Sequence, residues 1–189
     1  AIRSGHVPGA QALHLDGVSA AGGRTGLKEC TVNVSRGEVV GLAGLEGRGQ
    51  DVFLRVAAGL IRPVRGRVHV SRKDMTGKDY HSFRRLGVAF QPASRLEEGL
   101  IRGLTVTEHS ALEERGGSFS VQWDEAELRA RERIRTFQVA GMPESAVESL
   151  SGGNQQRLLL SFLPEEPELL LLENPTRGLD MESVHWVWE

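Results

Sequence analysis

A serine followed by two glycines stands directly before a segment with the composition of a helix. Ser151, Gly152 and Gly153 precede the predicted helix at residues 154–162. The first N–H groups of a helix have no partner within it, and the helix dipole favours negative charge there. A hydroxyl and several backbone donors therefore converge at one point, which predicts an anion site, best suited to phosphate. Taken alone, the pattern is more typical of an ordinary helix with a serine N-cap.

A glycine-rich loop gives a second potential phosphate site. Gly44, Gly47 and Gly49 follow an apolar run at residues 38–43, which predicts a buried strand, and precede a predicted helix at residues 50–58. Strand, glycine loop and helix in this order are the arrangement of a phosphate-binding loop. A tight strand-to-helix turn without a ligand is the alternative. A dinucleotide-binding loop is excluded, because it requires a third glycine where this chain has Val52.

Four consecutive leucines at residues 169–172 introduce a third polar segment. An uninterrupted apolar run of this length predicts a parallel strand that is buried on both faces. Glu173 and Asn174 follow the run directly, and Asp180 lies six residues after Asn174.

In this order, the three segments resemble the phosphate loop, the signature motif and the Walker B motif with D-loop of an ATP-binding cassette (ABC) ATPase domain. The resemblance covers nearly the whole chain. The finer match is to the second ATPase domain of the fused subunits that power import of simple sugars and purine nucleosides. It is carried by LAGLEGRGQ, the region around Ser94 and Arg95, LSGGNQQR and NPTRGLD. The resemblance implies an α/β P-loop NTPase fold of the ABC type, a RecA-like parallel sheet core with an antiparallel β subdomain and a helical subdomain, truncated at the C-terminus.

The resemblance also assigns roles to the residues of the glycine loop. The family's lysine, which neutralises phosphate oxygens, corresponds to Gln50, and its Mg²⁺-binding hydroxyl corresponds to Asp51. Gln50 brings no charge, and Asp51 adds a negative charge beside a polyanion. The positions that would surround the nucleotide are Gly44, Glu46, Gly47, Arg48, Gly49, Gln50 and Asp51.

The catalytic positions are also altered. Glu173 stands where the family has the aspartate that holds the metal, and Asn174 stands where it has the general base; an amide cannot accept a proton. Gln91 matches the glutamine that reaches Mg²⁺ and the attacking water. We therefore expect ATP and Mg²⁺ to bind weakly at this site, with Gln91, Glu173 and Asp51 as the metal ligands, and the isolated domain to hydrolyse little or no ATP.

The signature is complete, by contrast: Ser151, Gly152, Gly153, Asn154 and Gln155 are followed downstream by the D-loop Asp180. In ABC dimers each ATP lies between the phosphate loop of one domain and the signature of the other. The resemblance therefore implies a second ABC domain with an intact Walker site and transmembrane permease subunits as partners. The alternative is a catalytically inactive pseudo-ATPase that serves as a structural or regulatory nucleotide-binding module.

Composition and charge limit the size of the core and argue against other classes of function. A chain of 189 residues with 39% hydrophobic content can bury one core. A net charge of −2 provides no basic field, which argues against a nucleic-acid partner. No apolar run approaches the roughly 18 to 20 residues of a membrane span. We expect a soluble cytoplasmic chain, placed on the inner face of the plasma membrane only through permease subunits.

The domain organisation follows from these motifs. Residues 1–10 are predicted to be a tail or linker, and residues 11–189 one ABC ATPase domain. Within it we expect a β subdomain with the phosphate-loop core at 11–91 and a helical subdomain at 92–150. The signature helix, Walker B strand and D-loop follow at 151–189.

Local patterns predict several individual elements. Alternation favours an antiparallel pair of strands at residues 13–18 and 27–34, and further strands at 67–70 and 87–90. In ABC domains, the loop after the first strand usually offers an aromatic ring on which adenine stacks. The loop at residues 20–22 has no such ring, so we expect weak binding of the base. Asp124 is predicted to cap a helix that ends at Gly141 and turns Leu128, Ile134 and Phe137 inward.

Overall fold

The computed structural model describes residues 9–45, 47–113 and 120–188. Most of the predicted tail, residues 1–8, and the expected loop residue Glu46 lie outside the described residues. The chain divides into two compact units. The first runs to Phe90 and includes Pro164–Glu173, and the second comprises Gln91–Leu163 and the segment from Asn174 onward. None of the helices in the described residues is long and apolar enough to cross a membrane.

A four-stranded antiparallel sheet forms one part of the first unit. Its strands are β1 (Gln11–Ala20), β2 (Leu27–Ser35), β3 (Arg65–Val70) and β4 (Lys73–Asp74), in the spatial order β2-β1-β3-β4. Leu15 on β1 is paired with Val32 on β2 and with Val68 on β3. Leu13 and Leu15 are buried, while His14 between them is only partly so. The antiparallel pair predicted from alternation is thus confirmed.

The first unit also contains helix α1 (Gln50–Ala57), helix α2 (Tyr80–Arg85) and a two-stranded sheet of β5 (Val88–Gln91) and β6 (Leu169–Leu172). The four leucines form the predicted strand, but the expected burial on both faces is wrong. Leu169 and Leu171 are buried, whereas Leu170 is 43% exposed. Successive side chains of a strand point to opposite faces, and only one face of β6 is covered.

The strand predicted at residues 38–43 is not formed. Residues 38–45 have no regular secondary structure and are exposed, with Val39 at 95% and Leu45 at 73%. An apolar sequence supplies the propensity for a strand, but the strand itself requires a hydrogen-bonded neighbour. The sheets of the described residues include no such neighbour for this segment.

The second unit is helical. It contains α3 (Val106–Leu112), α4 (Trp123–Thr136), α5 (Gly152–Leu160) and α6 (Met181–Trp188). Two short turns connect them, a π-helical turn at Arg95–Gly99 and a 3₁₀ turn at Val147–Ser149. The core of this unit is built from apolar side chains that include Leu100, Val106, Ala130, Val147, Leu150 and Leu158.

Helix α4 differs from its prediction at both ends and on one face. It begins at Trp123 with Gln122 as the N-cap, so Asp124 lies within the first turn, and it ends at Thr136 before Gly141. Ile134 and Phe137 pack against the core as predicted, but Leu128 is 68% exposed. The buried stripe runs through Ala126, Ala130 and Ile134, at a spacing of four residues. Leu128 lies two residues out of that stripe, which places it on the opposite side of the helix.

Candidate functional site

Two glycines of the glycine loop adopt backbone conformations that favour glycine. Gly47 and Gly49 have positive φ, of 79° and 104°. A Cβ at Gly49 would lie 2.6 Å from the carbonyl oxygen of Gly26, so no side chain fits there. The hydroxyl of Thr25 donates a hydrogen bond to the carbonyl of Gly47 at 2.9 Å. The β1–β2 connection thus supports the loop that leads into α1.

The side chain at the lysine position is folded back onto this loop. Gln50 donates a hydrogen bond from Nε2 to the carbonyl oxygen of Leu45, at 3.3 Å. The same Nε2 lies 2.4 Å from the position that a Cβ on Gly44 would take. Gln50 therefore covers the first glycine of the motif. Arg48 is exposed.

Asp51, at the hydroxyl position, faces the β1–β2 connection. Its Oδ2 lies 3.1 Å from the position that a Cβ on Gly23 would take. A neutral Ser or Thr at this position would offer a hydroxyl to a metal, whereas Asp51 offers a full negative charge in the first turn of α1. That charge suits the helix dipole but opposes a bound polyphosphate.

Glu173 at the end of β6 forms an ion pair with an arginine of α1. Arg55 Nη2 lies 3.0 Å from Glu173 Oε2, and the two side chains are 26% and 12% exposed. The guanidinium also lies over the ring of Phe90, 5.7 Å from its centroid. Glu173 is one methylene longer than the aspartate of the family, and its carboxylate is held by a protein cation.

Gln91 is the remaining expected metal ligand. It is 1% exposed, and neither Oε1 nor Nε2 has a hydrogen-bond partner. A buried amide without partners costs free energy, so it calls for an explanation, of which a functional role is one. Among the described residues, no cluster of three or more His, Cys, Asp and Glu side chains could hold a metal ion. Mg²⁺ would have to displace Arg55 from Glu173, so the residues as they stand do not fit a resident metal, and weak binding remains a prediction.

The signature motif forms the N-terminus of α5. Ser151 is the N-cap, and its Oγ accepts hydrogen bonds from Asn154 N at 3.4 Å and from Asn154 Nδ2 at 2.8 Å. Asn154 Oδ1 accepts a further bond from Ala140 N at 2.7 Å. Gln155 is buried and donates to the carbonyls of Val147 and Leu150. Asn154 and Gln155 therefore fix the loop that enters the helix, and Ser151 remains exposed.

Both signature glycines are in close contact with neighbouring segments. A Cβ at Gly153 would lie 2.7 Å from Ser183 Oγ and 3.9 Å from Asp180 Oδ2. A Cβ at Gly152 would lie 3.3 Å from Arg95 Nη2. The D-loop and the π-helical turn thus approach the first turn of α5 on two sides. A side chain at position 153 would collide with Ser183, whereas one at position 152 would meet the flexible end of Arg95.

Asp180 precedes α6 and holds its first turn. Its carboxylate accepts hydrogen bonds from Ser183 N at 2.8 Å and Ser183 Oγ at 3.1 Å. These bonds, the backbone one first, lower the pKa of Asp180 below its usual value. The carboxylate is therefore ionised at neutral pH, at the edge of the signature.

An open groove of about 390 Å³ lies along these residues. Its lining is polar, and its ionisable members are one arginine and two acids. Arg157 lies over the ring of Trp186, 4.3 Å from the centroid. The lining residues are Gln138, Ser151, Gly153, Asn154, Arg157, Asp180, Glu182 and Ser183.

The structure thus brings Ser151, Gly153, Asn154 and Asp180 together along one groove, while the side chain of Gln155 is buried within the unit. Sequence reasoning missed Arg55 and did not assign a role to Arg95, Arg157 or Ser183. Arg95 and Arg157 belong to motif segments that the resemblance had marked. No local pattern identifies Arg55, because its partner lies 118 residues away.

Comparisons with known proteins agree with this geometry. The family model described as ABC transporter matches residues 27–177. The glucose import ATP-binding protein TsgD13 of Haloferax volcanii is 35% identical over 96% of this chain and 35% of its own length. The nucleoside import ATP-binding protein NupA of Lactococcus lactis subsp. cremoris is 30% identical over 85% of this chain and 33% of its own length. The chain thus spans about a third of these relatives.

Solved structures with the same fold include a dimeric post-hydrolysis state of the ATP-binding cassette MJ0796 bound to ADP and Pi. It has a TM-score of 0.74 and 23% identity, covering 93% of this chain and 79% of that one. The family model matches well over half of the chain, so this chain belongs to the ABC transporter family and has the fold of its ATP-binding cassettes.

Proposed function

We propose that this domain is the signature-donating half of a pair of ATP-binding cassettes. In this proposal a partner domain with an intact Walker site holds ATP and Mg²⁺, and the groove at the N-terminus of α5 closes over the γ-phosphate. The observation that carries the proposal is the open groove formed by Ser151, Gly153, Asn154 and Asp180. In contrast, Gln50 of the glycine loop and Glu173 at the end of β6 have partners within their own unit.

The donors and charges of the groove suit a phosphate group that is already bound to Mg²⁺. The free N–H groups at the start of α5 and the hydroxyl of Ser151 supply hydrogen-bond donors. Asp180 and Glu182 are negative, so they favour a nucleotide whose charge is already offset by Mg²⁺ and a lysine of the partner. We assign Ser151, Gly152 and Gly153 to the phosphate, and Asp180 to the link between the two sites of the dimer.

The domain's own glycine loop would bind ATP and Mg²⁺ weakly at most. Gln50 covers Gly44, Asp51 opposes phosphate, and Glu173 is paired with Arg55. No residue replaces the general base, because Asn174 cannot accept a proton. Turnover in the pair would then depend on the partner's phosphate loop.

The descriptions of similar proteins suggest which solutes the assembly would transport. Proteins similar to this chain are described as import ATP-binding proteins for glucose, nucleoside, fructose and ribose. We therefore infer a role in import of simple sugars or nucleosides, on the cytoplasmic face of the membrane, through transmembrane permease subunits. A pI near 6.4 gives no support for nucleic acid as a partner.

A pseudo-ATPase is the second candidate, and one observation favours it. Glu173, which stands at the Walker B position, is paired with Arg55 of its own unit, so its observed role is structural. A domain of this kind would bind a partner or a nucleotide as a structural or regulatory module and never support turnover.

Calorimetric titration with ATP and Mg²⁺ separates these functions. The isolated chain should show little or no heat of binding. Mixed with a cassette that carries a complete phosphate loop, it should raise both ATP affinity and turnover, and turnover should depend on Ser151. Tight binding by the chain alone would contradict the proposal, and enhanced binding without turnover would support the pseudo-ATPase.

A further inference from the structure

Arg95 lies between the signature helix and the D-loop. It opens the π-helical turn Arg95–Gly99 and is partly buried. Its Nη1 donates a hydrogen bond to the carbonyl oxygen of Arg177, at 2.9 Å. Its Nη2 lies 3.3 Å from the position that a Cβ on Gly152 would take, and 3.8 Å from the corresponding position on Gly178. One guanidinium therefore contacts both segments that form the signature groove.

The π-helical turn is itself fixed on α5. At its other end, a Cβ on Gly99 would lie 2.9 Å from Leu159 Cδ1, so the backbone of the turn rests directly on the helix. Leu100, which follows the turn, is buried in the core of the unit. The backbone N–H of Leu100 donates to the carbonyl of Arg95 at 2.6 Å. Arg95 thus extends from a turn that is packed on α5, which places its side chain between α5 and the D-loop.

The shape and charge of the side chain both matter here. A guanidinium is a planar fork that can donate to Arg177 while a second nitrogen remains beside Gly152. A lysine has a single ammonium and could satisfy only one of these positions. Asp180 and Glu182 place negative charge on the Gly153 side of the groove, and Arg95 places positive charge on the Gly152 side.

We propose that Arg95 is a positioning residue, which holds the D-loop segment 177–180 against the first turn of α5 so that Ser151 and Asp180 meet the partner's nucleotide in one geometry. This inference rests on the proposed signature-donating function. Arg95 acts through Arg177 and Gly152 rather than on the reacting atoms. Displacements of about 1 Å at such positions cost on the order of 100-fold in rate.

The test compares Arg95→Gln and Arg95→Lys with the control Arg135→Gln, which removes an exposed arginine on α4. Steady-state ATPase activity is measured on the full chain mixed with a cassette that has an intact phosphate loop. We expect Arg95→Gln to lower kcat about tenfold or more with KM for ATP nearly unchanged, because the nucleotide is held by the partner. Arg95→Lys should recover only part of kcat. Millimolar guanidinium should restore activity to Arg95→Ala but have no effect on Gly152→Asp.

A second readout needs no partner. Amide hydrogen exchange of residues 174–180 should be faster in Arg95→Gln than in the wild type or Arg135→Gln, with an unchanged thermal unfolding midpoint. Unchanged exchange, or a rise in KM at constant kcat, would overturn the inference. If Gly152→Asp abolishes turnover while Arg95→Gln does not alter it, only the role of Arg95 is wrong. If Gly152→Asp is fully active, the signature-donating function fails and the inference fails with it.

Discussion

The glycine loop and the signature groove both place glycines at the N-terminus of a helix, but the N-cap residue and the side chains around it differ. At α1 the N-cap is Gly49, without a side-chain cap, and Gln50 folds back over the loop. At α5 the N-cap is Ser151, and an open groove lies beside it. The glycines allow close backbone packing in both places. The side chains differ, and this difference is the basis for proposing that only the signature groove receives a phosphate.

Charged side chains also have different surroundings in the two units. In the first unit, Glu173 is neutralised by Arg55 and contributes to packing. In the second unit, Asp180 is exposed and Arg95 connects two loops at the groove. This difference is what the proposed division of labour depends on, with the Walker positions occupied by internal contacts and the signature groove open to a partner.

The largest effect should come from Gly152→Asp. The new carboxylate would lie beside Arg95 at the start of a helix, where a negative charge is tolerated, so the fold should persist. It would repel the γ-phosphate, and ATPase activity of the assembly should fall by roughly 100-fold or more. Gly41→Asp is the matched control, because the space around Gly41 is open and its backbone has no positive φ. Equal losses from both variants would remove the distinction between the two regions.

Two substitutions at Ser151 distinguish capping from phosphate binding. Ser151→Ala removes the N-cap and should lower the free energy of unfolding by about 1 kcal/mol, with a loss of activity. Ser151→Asp retains a capping oxygen but adds charge, so stability should be preserved while activity is lost. Urea unfolding and ATPase assays measure the two effects. Full activity of Ser151→Asp would show that the groove does not hold phosphate.

The ion pair of the first unit should affect stability rather than turnover. Arg55→Met and Glu173→Gln each leave a half-buried partner behind, and we expect each to cost about 1 to 3 kcal/mol in urea unfolding. The double variant should show coupling of about 0.5 to 3 kcal/mol. The exposed pair of Arg131 and Glu127 on α4 is the control, and its removal should change the free energy of unfolding much less. If Glu173→Gln instead abolishes Mg²⁺-dependent ATP binding by the isolated chain without loss of stability, Glu173 is a metal ligand.

Gln50→Ala should have the smallest effect. The amide makes one long hydrogen bond within the loop, to Leu45 at 3.3 Å. Its removal uncovers Gly44 but supplies no charge, so ATPase activity of the assembly should stay within about twofold of the wild type. A drop comparable to that of Gly152→Asp would show that the glycine loop takes part in turnover.

Much of the fold was predictable because it depends on local patterns. Alternation identified the β1–β2 pair, glycine spacing identified the loop before α1, and Ser151 identified the start of α5. The same reasoning failed where a pattern needs a distant partner. Residues 38–43 have the composition of a buried strand, but no strand of the described residues pairs with them. Leu128 was assigned to the buried face of α4, although the neighbouring alanines define that face.

By itself, the sequence determined the order of the motifs and the residue types at their positions, among them Gln50, Asp51, Asn174 and Ser151. The predicted loss of the Walker functions and the predicted use of the signature rest on the resemblance of these residues to the family's motifs. Only the tertiary structure decided that Glu173 is held by Arg55, 118 residues away, and that Arg95 reaches Arg177 across 82 residues. Contacts between residues so far apart depend on the path of the whole chain, because packing and not local spacing brings their side chains within hydrogen-bond distance.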